Sequence, residues 1–159
     1  MAFDTFLKLG DLKGESPVKG HEDEIQVLSW SWGMSQSGTT HIATGGGAGK
    51  VNVQDITVTH YVDSATPNLV SACCSGKHFD KATLTARKAG GSPLDYMVIS
   101  LEDIIITSVS HGGSSGEDQL HENFTLNFAK FKVSYQPQDN KGAKKGGAIE
   151  AEYHIAKNE

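Results

Sequence analysis

A glycine-rich run that ends in a lysine, residues 45–50, is the first segment whose residue types could do chemistry. Such runs bind nucleotide phosphates when they have the pattern GxxxxGK followed by Ser or Thr and open a helix. The pattern needs Gly at position 44 and Ser or Thr at 51, whereas the chain has Thr44 and Val51. An alternating strand pattern follows in place of a helix. The sequence therefore favours a flexible loop over a nucleotide site.

Residues 112–116, Gly-Gly-Ser-Ser-Gly, satisfy the GxSxG pattern of a hydrolase nucleophile. Asp139 and His154 follow in the chain order of an α/β-hydrolase triad. That nucleophile needs a strand, a sharp turn and then a helix, yet Gly116 leads into an alternating strand pattern. We interpret the match as a chance one in a chain rich in glycine and serine. The sequence therefore predicts no catalytic residues and no enzyme.

The metal-ligating residue types are scattered along the chain. Its seven histidines and two cysteines form no HxxxH, CxxC or HExxH pattern, so no metal site and no cofactor are predicted. His60 alternates with Val58 and Val62, which is typical of a strand histidine whose polar atoms are satisfied by its neighbours. Cys73 and Cys74 are adjacent and could form only a strained bridge, so we expect both to be reduced thiols.

The net charge of -5 argues against binding to a nucleic-acid backbone, which depends on clustered Lys and Arg. Lys141, Lys144 and Lys145 are the only basic cluster, and their glycine-rich surroundings indicate a solvated loop. Residues 1–14 contain no apolar run long enough for a signal-peptide core or a membrane helix. We expect a protein that stays in the cytoplasm or leaves by a route without a signal peptide, and that does not insert into membranes.

The elements that must position any site are mostly strands, because apolar and polar residues alternate at period two through most of the chain. The predicted strands are residues 2–9, 24–34, 51–62, 82–88, 95–109, 120–135 and 148–155. Several of them change phase part-way, as where Phe124, Leu126 and Phe128 give way to Phe131 and Val133. A β-bulge produces such a slip and bends the strand. The sequence predicts a single domain, residues 1–159, that is a mostly β, two-walled barrel of bent strands.

One segment departs from the strand pattern. Asp63 and Pro67 suit the first turn of a helix, and Gly76 suits its end. Between them Leu69, Val70, Cys73 and Cys74 recur at helical spacing. We predict one short α-helix over about residues 64–75 that flanks the barrel.

Six segments, in order and spacing, resemble the haemolysin-coregulated proteins (Hcp), the family that builds the tube of bacterial type VI secretion systems. The matching segments span nearly the whole chain: residues 6–9 with 14–16, 25–33, 60–63 with 65–69, 76–78, 82–91 and 131–135. The resemblance implies hexameric rings that stack into a tube, with a contractile sheath and spike proteins as partners and small effector proteins as cargo. It also implies that the tube protein itself is exported.

A crude estimate indicates that cargo would fit. If each of six subunits supplies about four strands, roughly 24 strands spaced about 4.8 Å apart enclose a lumen roughly 35 to 40 Å wide. A 100-residue domain has a radius of gyration of about 13 Å. Small folded effectors could therefore pass, and large ones could not.

Two loops are candidate functional sites on this interpretation. We expect ring-to-ring contacts on an extended loop, about residues 36–50, because a long glycine-rich excursion between strands is usually functional or disordered. Its site residues are Gly45, Gly46, Gly47 and Lys50. The second loop carries Ser114 and Ser115, which we expect to face the lumen and contact cargo. The alternative for this second loop is a solvated hairpin turn without a partner. The main rival for the whole chain is a secreted, ligand-binding β-barrel.

Overall fold

The computed structural model describes residues 3–38, 51–90 and 92–159. These residues form ten strands and one helix: β1 (Phe3–Leu9), β2 (Ile25–Val27), β3 (Ser29–Ser31), β4 (Met34–Ser35), β5 (Asn52–Val53), β6 (Ile56–Tyr61), α1 (Thr66–Ser75), β7 (His78–Lys88), β8 (Leu94–Gly112), β9 (His121–Tyr135) and β10 (Ile149–His154).

Eight strands form one antiparallel sheet that nearly closes on itself. Seven follow the order β2-β1-β7-β8-β9-β6-β3, and β10 pairs with β9 beside them. The two outermost strands, β2 and β3, are consecutive in sequence, with only Leu28 between them. Leu28 itself donates its N–H to the carbonyl of Thr59, at 2.8 Å. One stretch of chain thus borders both ends of the sheet, which confirms the mostly β, barrel-like class predicted from periodicity.

The three long neighbouring strands β7, β8 and β9 bend along one line. Asp80, Asp103 and Ala129 lie side by side on this line, one on each strand. On the β7 side, the paired residues that flank the line are Phe79–Ile104 and Lys81–Glu102. On the β9 side they are Ile104–Phe128 and Glu102–Lys130. On either side of the line the buried residues have opposite parity: Ile99, Leu101 and Phe131 on one side, Ile104, Ile106, Phe124, Leu126 and Phe128 on the other. We call this line the crease. It divides the bent strands between two walls, as predicted.

The cause of the phase change in β9 differs from the predicted one. We expected a β-bulge, but the register between β8 and β9 is unbroken at the crease and shifts only between Ile106 and Ser108. At the crease Asp103 has a φ of 55°, in the left-handed region. A left-handed residue in the middle strand turns the sheet without inserting an extra residue on β9.

Both walls pack on one apolar core. Its largest side chains with under 2% exposure include Phe124, Leu7, Leu69, Ile104 and Leu126. Burying a side chain of this size stabilises the fold by about 1.5–3 kcal/mol. Trp30 and Trp32 pack against the edge of the core, and Trp32 meets the ring of Phe131 edge-on at 4.9 Å. The barrel interior is therefore filled by side chains, which gives no support to the rival ligand-binding barrel.

Helix α1 lies against the barrel with Leu69 and Ala72 buried. Asp63 accepts the N–H of Ala65 at 2.8 Å before the first turn, and Gly76 ends the helix with a φ of 67°. The predicted apolar face was partly wrong, since Val70 and Cys74 are exposed. No helix long and apolar enough to cross a membrane occurs in the described ranges.

Two predicted strands are divided. The chain that we expected to be one strand over 24–34 forms β2, β3 and β4, and the predicted strand over 51–62 forms β5 and β6. β4 and β5 pair with each other as a separate two-stranded ladder, Met34 opposite Val53 and Ser35 opposite Asn52. The indole N–H of Trp32 donates to the carbonyl of Gln54 at 2.9 Å, beside this ladder. The ladder therefore forms the base of the predicted 36–50 loop.

Candidate functional site

The structure describes one of the two predicted sites and not the other. Ser114 and Ser115 lie at the exposed tip of the hairpin between β8 and β9, where Glu117 donates its N–H to the carbonyl of Ser114 at 3.1 Å. The residues of the other site, Gly45, Gly46, Gly47 and Lys50, lie outside the described residues.

The geometry does not assemble the alternative hydrolase triad. Ser114 lies in the hairpin between β8 and β9, whereas Asp139 lies in the loop at the opposite end of β9. There Asp139 accepts the backbone N–H groups of Lys141 and Ala143, at 2.8 and 3.0 Å. Nor do His, Cys, Asp and Glu side chains within the described ranges form a group of three that could hold a metal ion.

A buried polar cluster lies at the base of the same hairpin, and sequence reasoning missed most of it. His60 on β6 and Glu122 on β9 are both 0% exposed, with His60 Nε2 2.6 Å from Glu122 Oε1. The other oxygen of Glu122, Oε2, lies 2.6 Å from Nε2 of His111 on β8. Thr66, the first residue of α1, donates its hydroxyl to Glu122 Oε1 at 3.0 Å. The cluster thus joins three strands to the start of the helix.

Two opposing effects act on the pKa of His60. Burial lowers the pKa, because it disfavours the charged imidazolium, while the nearby carboxylates of Asp63 and Glu122 raise it. The carboxylates outweigh the burial, so the pKa of His60 is raised above its usual value. Asp63 Oδ2 lies 3.6 Å from His60 Nδ1, which has no hydrogen-bond partner within the described part of the chain. His60 thus lies between two carboxylates, an arrangement that favours its protonated form over the neutral one.

The outward face of the sheet differs on the two sides of the crease. Towards the hairpin it carries short polar side chains that bond one another: Thr107 donates to Asp55 at 2.7 Å, Ser108 lies 2.7 Å from Thr125, and Asn127 donates to Asp55 at 2.9 Å. On the other side Lys81, Glu102 and Lys130 lie next to one another on β7, β8 and β9, and Lys132 pairs with Glu150 of β10. One wall is thus nearly uncharged and the other is charged.

Large hydrophobic side chains remain exposed on the strands, in the loops that adjoin them and on α1. The most exposed are Ile149 at 64% and Leu120 at 58%. Phe3, Leu28, Met34, Tyr61, Val62, Val70 and Tyr135 are also exposed. Apolar side chains that are exposed singly are normal on a protein surface, so the position of such a residue on a strand edge is more informative than the number of exposed residues.

The chain is similar to a known protein family. Residues 6–135 match the family model described as "Type VI secretion system effector, Hcp". The chain is 57% identical to Protein hcp1 of Pseudomonas aeruginosa over 159 residues, which cover 99% of this chain and 98% of the relative.

Solved structures show the same likeness. A crystal structure of Hcp1 from Salmonella typhimurium matches with a TM-score of 0.82 and 40% identity, and covers 99% of this chain and 98% of its own. A type VI secretion system effector from Yersinia pestis matches with a TM-score of 0.79 and 36% identity, over 96% of this chain and 100% of its own. A further type six secretion system protein reaches a TM-score of 0.92 at 27% identity, with 99% of each chain covered.

Proposed function

Since the chain belongs to the Hcp family of type VI secretion proteins, we propose that it is a structural subunit of the type VI secretion inner tube, and not an enzyme. In this proposal six copies form a closed ring, rings stack into a tube, and small effector proteins travel in the lumen. A contractile sheath and spike proteins are its further partners. The subunit is made in the bacterial cytoplasm and exported without a signal peptide.

The observation that carries the assembly proposal is an exposed apolar residue on a strand that is paired on one edge only, among the described strands. Ile149 opens β10, which pairs with β9 alone among the described strands. A strand with one unpaired edge and an exposed apolar residue favours contact with another copy. A stable contact of this kind buries more than about 1,000 Å² in total.

Mass measurement and microscopy test the ring together. The chain has a mass of 17.0 kDa, so light scattering on the purified protein should report six times that mass. Negative-stain images should show rings with sixfold symmetry and a central hole. A protein that remains monomeric at micromolar concentration would contradict the proposal.

We propose that Ser114 and Ser115 contact cargo. Their hairpin continues the strands β8 and β9 beyond the nearly uncharged wall, where Thr107, Ser108 and Thr125 bond one another. Short side chains that satisfy one another can line a passage without gripping a particular passenger. The alternative remains a solvated hairpin tip.

Ser115→Gln tests the cargo contact, because it lengthens one exposed side chain without touching the core. We expect rings to form and less effector to co-purify with them. Ser71→Gln is the matched control, since Ser71 is an exposed serine on α1. Equal effector recovery with both variants would reject the contact and leave the solvated hairpin.

We propose that the 36–50 loop makes ring-to-ring contacts through Gly45, Gly46, Gly47 and Lys50. The pairing of β4 with β5 supports this, because it holds the two ends of the loop together. A deletion of residues 41–48 should leave single rings intact and block tube assembly and secretion. Normal secretion by the deletion variant would count against the proposal.

A further inference from the structure

The buried polar cluster at the base of the β8–β9 hairpin contains a closed circuit of four residues. His60 on β6 lies directly opposite Glu122 on β9, with Nε2 2.6 Å from Oε1. The hydroxyl of Thr66 accepts the N–H of Asp63 at 3.1 Å and donates to the same Glu122 oxygen at 3.0 Å. Asp63 Oδ2 lies 3.6 Å from His60 Nδ1 and completes the circuit. The circuit therefore joins the hairpin to residues 62–65, the segment that leads from β6 into α1.

Only a doubly protonated His60 serves both carboxylates of the circuit. A neutral imidazole has one N–H donor and one lone pair, whereas the imidazolium has two donors. With the proton on Nε2, the lone pair of Nδ1 lies 3.6 Å from Asp63 Oδ2; with the proton on Nδ1, the lone pair of Nε2 lies 2.6 Å from Glu122 Oε1. The Thr66 hydroxyl gives its single proton to Glu122, so it does not compensate. Loss of one proton from His60 therefore breaks one of its two contacts.

On the hairpin side, two further histidines lie near the circuit. His111 on β8 is paired in register with Glu122, and its Nε2 lies 2.6 Å from Oε2. Its side chain is 44% exposed, so the buried circuit reaches solvent at this point. His121, the first residue of β9, lies 3.1 Å from Glu117 of the hairpin tip. Since histidines as a class titrate near neutral pH, an experiment has to distinguish these two from His60.

On the α1 side, a further carboxylate lies next to Asp63. Glu15, from the loop between β1 and β2, accepts the N–H of Ser64 at 2.9 Å. The backbone carbonyl of Lys13 accepts the hydroxyl of Ser64 at 3.2 Å. By sequence, β2, β3 and the first turn of α1 carry no charged or histidine side chain. Asp63 and Glu15 thus place negative charge on this side of the circuit.

We propose that the second proton of His60 is a latch, which holds residues 62–65 and the hairpin tip, residues 113–120, to the barrel. When His60 loses this proton, the remaining N–H stays with Glu122, because that contact is the shorter one and both side chains are fully buried. The contact with Asp63 is then lost. Asp63 lies between β6 and α1, and its side chain is 12% exposed, so it can turn towards solvent.

Two backbone hydrogen bonds depend on the position of Asp63. Its Oδ1 accepts the N–H of Ala65 at 2.8 Å. One residue before it, Val62 donates its N–H to the carbonyl of Leu120 in the hairpin, at 2.9 Å. A shift of Asp63 weakens both bonds, while the ladder between β6 and β9 remains paired. The latch is closed below the pH at which His60 releases its proton and open above it.

Two measurements on the full-length chain, in the assembly state in which it is purified, test the latch. Nuclear magnetic resonance of histidines labelled at Cε1 reports the protonation of each ring, and His60 should keep its second proton above pH 6.5, the usual pKa of histidine. Hydrogen exchange, corrected for its intrinsic pH dependence, reports local opening. Peptides that contain residues 62–65 and 113–120 should lose protection as the pH rises through the titration of His60. They should do so at labelling times at which β1 and β7 stay unexchanged.

Two substitutions should fix the latch in opposite states. His60→Gln keeps an N–H donor for Glu122 but has no second proton, so both segments should exchange at every pH as fast as in wild type at high pH. Asp63→Asn keeps an oxygen for the N–H of Ala65 and offers its own amide N–H to the neutral ring of His60. Both segments should then stay protected after His60 has lost its proton. If His60→Gln does not fold, Asp63→Asn decides the question alone.

Two further histidine substitutions are the controls. His111→Gln keeps a donor for Glu122 without a titrating ring, and His78→Gln removes an exposed histidine that lies 3.0 Å from Asp103. Both variants should keep the wild-type response to pH. A response that disappears in His111→Gln and persists in His60→Gln would overturn the assignment to His60.

Three other results would overturn the latch. The first is equal protection of both segments in wild type on either side of the titration of His60. The second is a wild-type response in Asp63→Asn. The third is exchange of the two segments only together with β1 and β7, which would show that the proton stabilises the barrel as a whole. None of these results bears on ring formation, which light scattering tests separately.

Discussion

Glu122 occupies a position on β9 whose neighbours of the same parity, Phe124 and Leu126, are buried in the apolar core. A carboxylate at such a position destabilises the fold unless it is paired. His60 and His111 supply that pairing from two neighbouring strands, each at 2.6 Å. The stability of the barrel should therefore depend on the protonation state of His60.

Glu122→Gln should lower the free energy of unfolding by about 1–3 kcal/mol near neutral pH, because it leaves buried polar atoms with poorer partners. It should also weaken the pH dependence. The pKa of His60 is raised in the folded chain, so protonated His60 stabilises the fold below an unfolded pKa of about 6.5. This contribution is lost as the pH rises through the folded pKa of His60. Thermal melts across this range, at fixed protein concentration, measure both effects.

Glu102→Gln is the matched control for Glu122→Gln. Glu102 is exposed and lies 3.8 Å from Lys130, and an exposed pair contributes about 0–1 kcal/mol. The melting temperature of Glu102→Gln should match that of wild type across the pH range. If the stability of Glu122→Gln depends on pH as steeply as that of wild type between pH 6 and the alkaline range, Asp63 alone accounts for the raised pKa of His60 and Glu122 does not contribute.

The sequence contains a signal for some residues of the cluster around Glu122 but not for all of them. His60 alternates with valines, which predicted a strand histidine satisfied by its neighbours. Glu122 satisfies Nε2, whereas Nδ1 has no hydrogen-bond partner among the described residues. Glu122 has the parity of Phe124, Leu126 and Phe128, so a charged residue in a buried phase was the available signal. His111 carried no signal, because its contact with Glu122 depends on the pairing of β8 with β9.

At the scale of elements, the crease is the feature that gives the sheet its two walls. Asp103 lies on it with a φ of 55°, and its side chain is exposed, 3.0 Å from His78 Nδ1. Asp tolerates the left-handed region better than β-branched residues do, and Gly tolerates it best. The backbone conformation at this position therefore limits which residue can occupy it.

Asp103→Val should destabilise the fold by about 1–2 kcal/mol, because a β-branched side chain is strained at positive φ. For a chain of this size that is a fall in melting temperature of about 2–8 °C. Asp103→Gly should remain within about 0.5 kcal/mol of wild type. Glu102→Val is the control, since it places the same side chain one residue earlier on the same strand and should cost little. Equal melting of the two valine variants would show that the crease does not depend on the conformation of Asp103.

Periodicity predicted the strands and the helix better than their breaks. The long strands β8 and β9 were predicted within a few residues, because their alternation is local. The breaks of the chain at Leu28 and between β5 and β6 depend on pairing with different partner strands, which no local pattern reveals. The crease was visible only as a phase change, which a bulge would produce equally well.

At the scale of the whole molecule, total charge concealed the charge distribution. Lys141, Lys144 and Lys145 were interpreted as a solvated loop, and all three are exposed in the loop between β9 and β10. Glu117 and Asp118 lie in the hairpin at the other end of β9, so one strand separates the two charged loops. The resemblance to a known family implied the ring assembly, whereas the positions of the charged loops follow only from the strand topology.

The exposed Ile149 provides a test of how subunits meet side by side. It lies at the start of β10, 64% exposed, and its loss should not disturb the core. Ile149→Asp should therefore leave the melting of the isolated subunit within about 0.5 kcal/mol of wild type. If β10 borders the next subunit, the buried carboxylate should weaken each contact by about 2 kcal/mol or more. Mass photometry over a dilution series measures the loss of rings. Val70→Asp on the exposed side of α1 is the control, and rings of Ile149→Asp that persist to the same dilution as those of Val70→Asp would place the subunit contact away from β10.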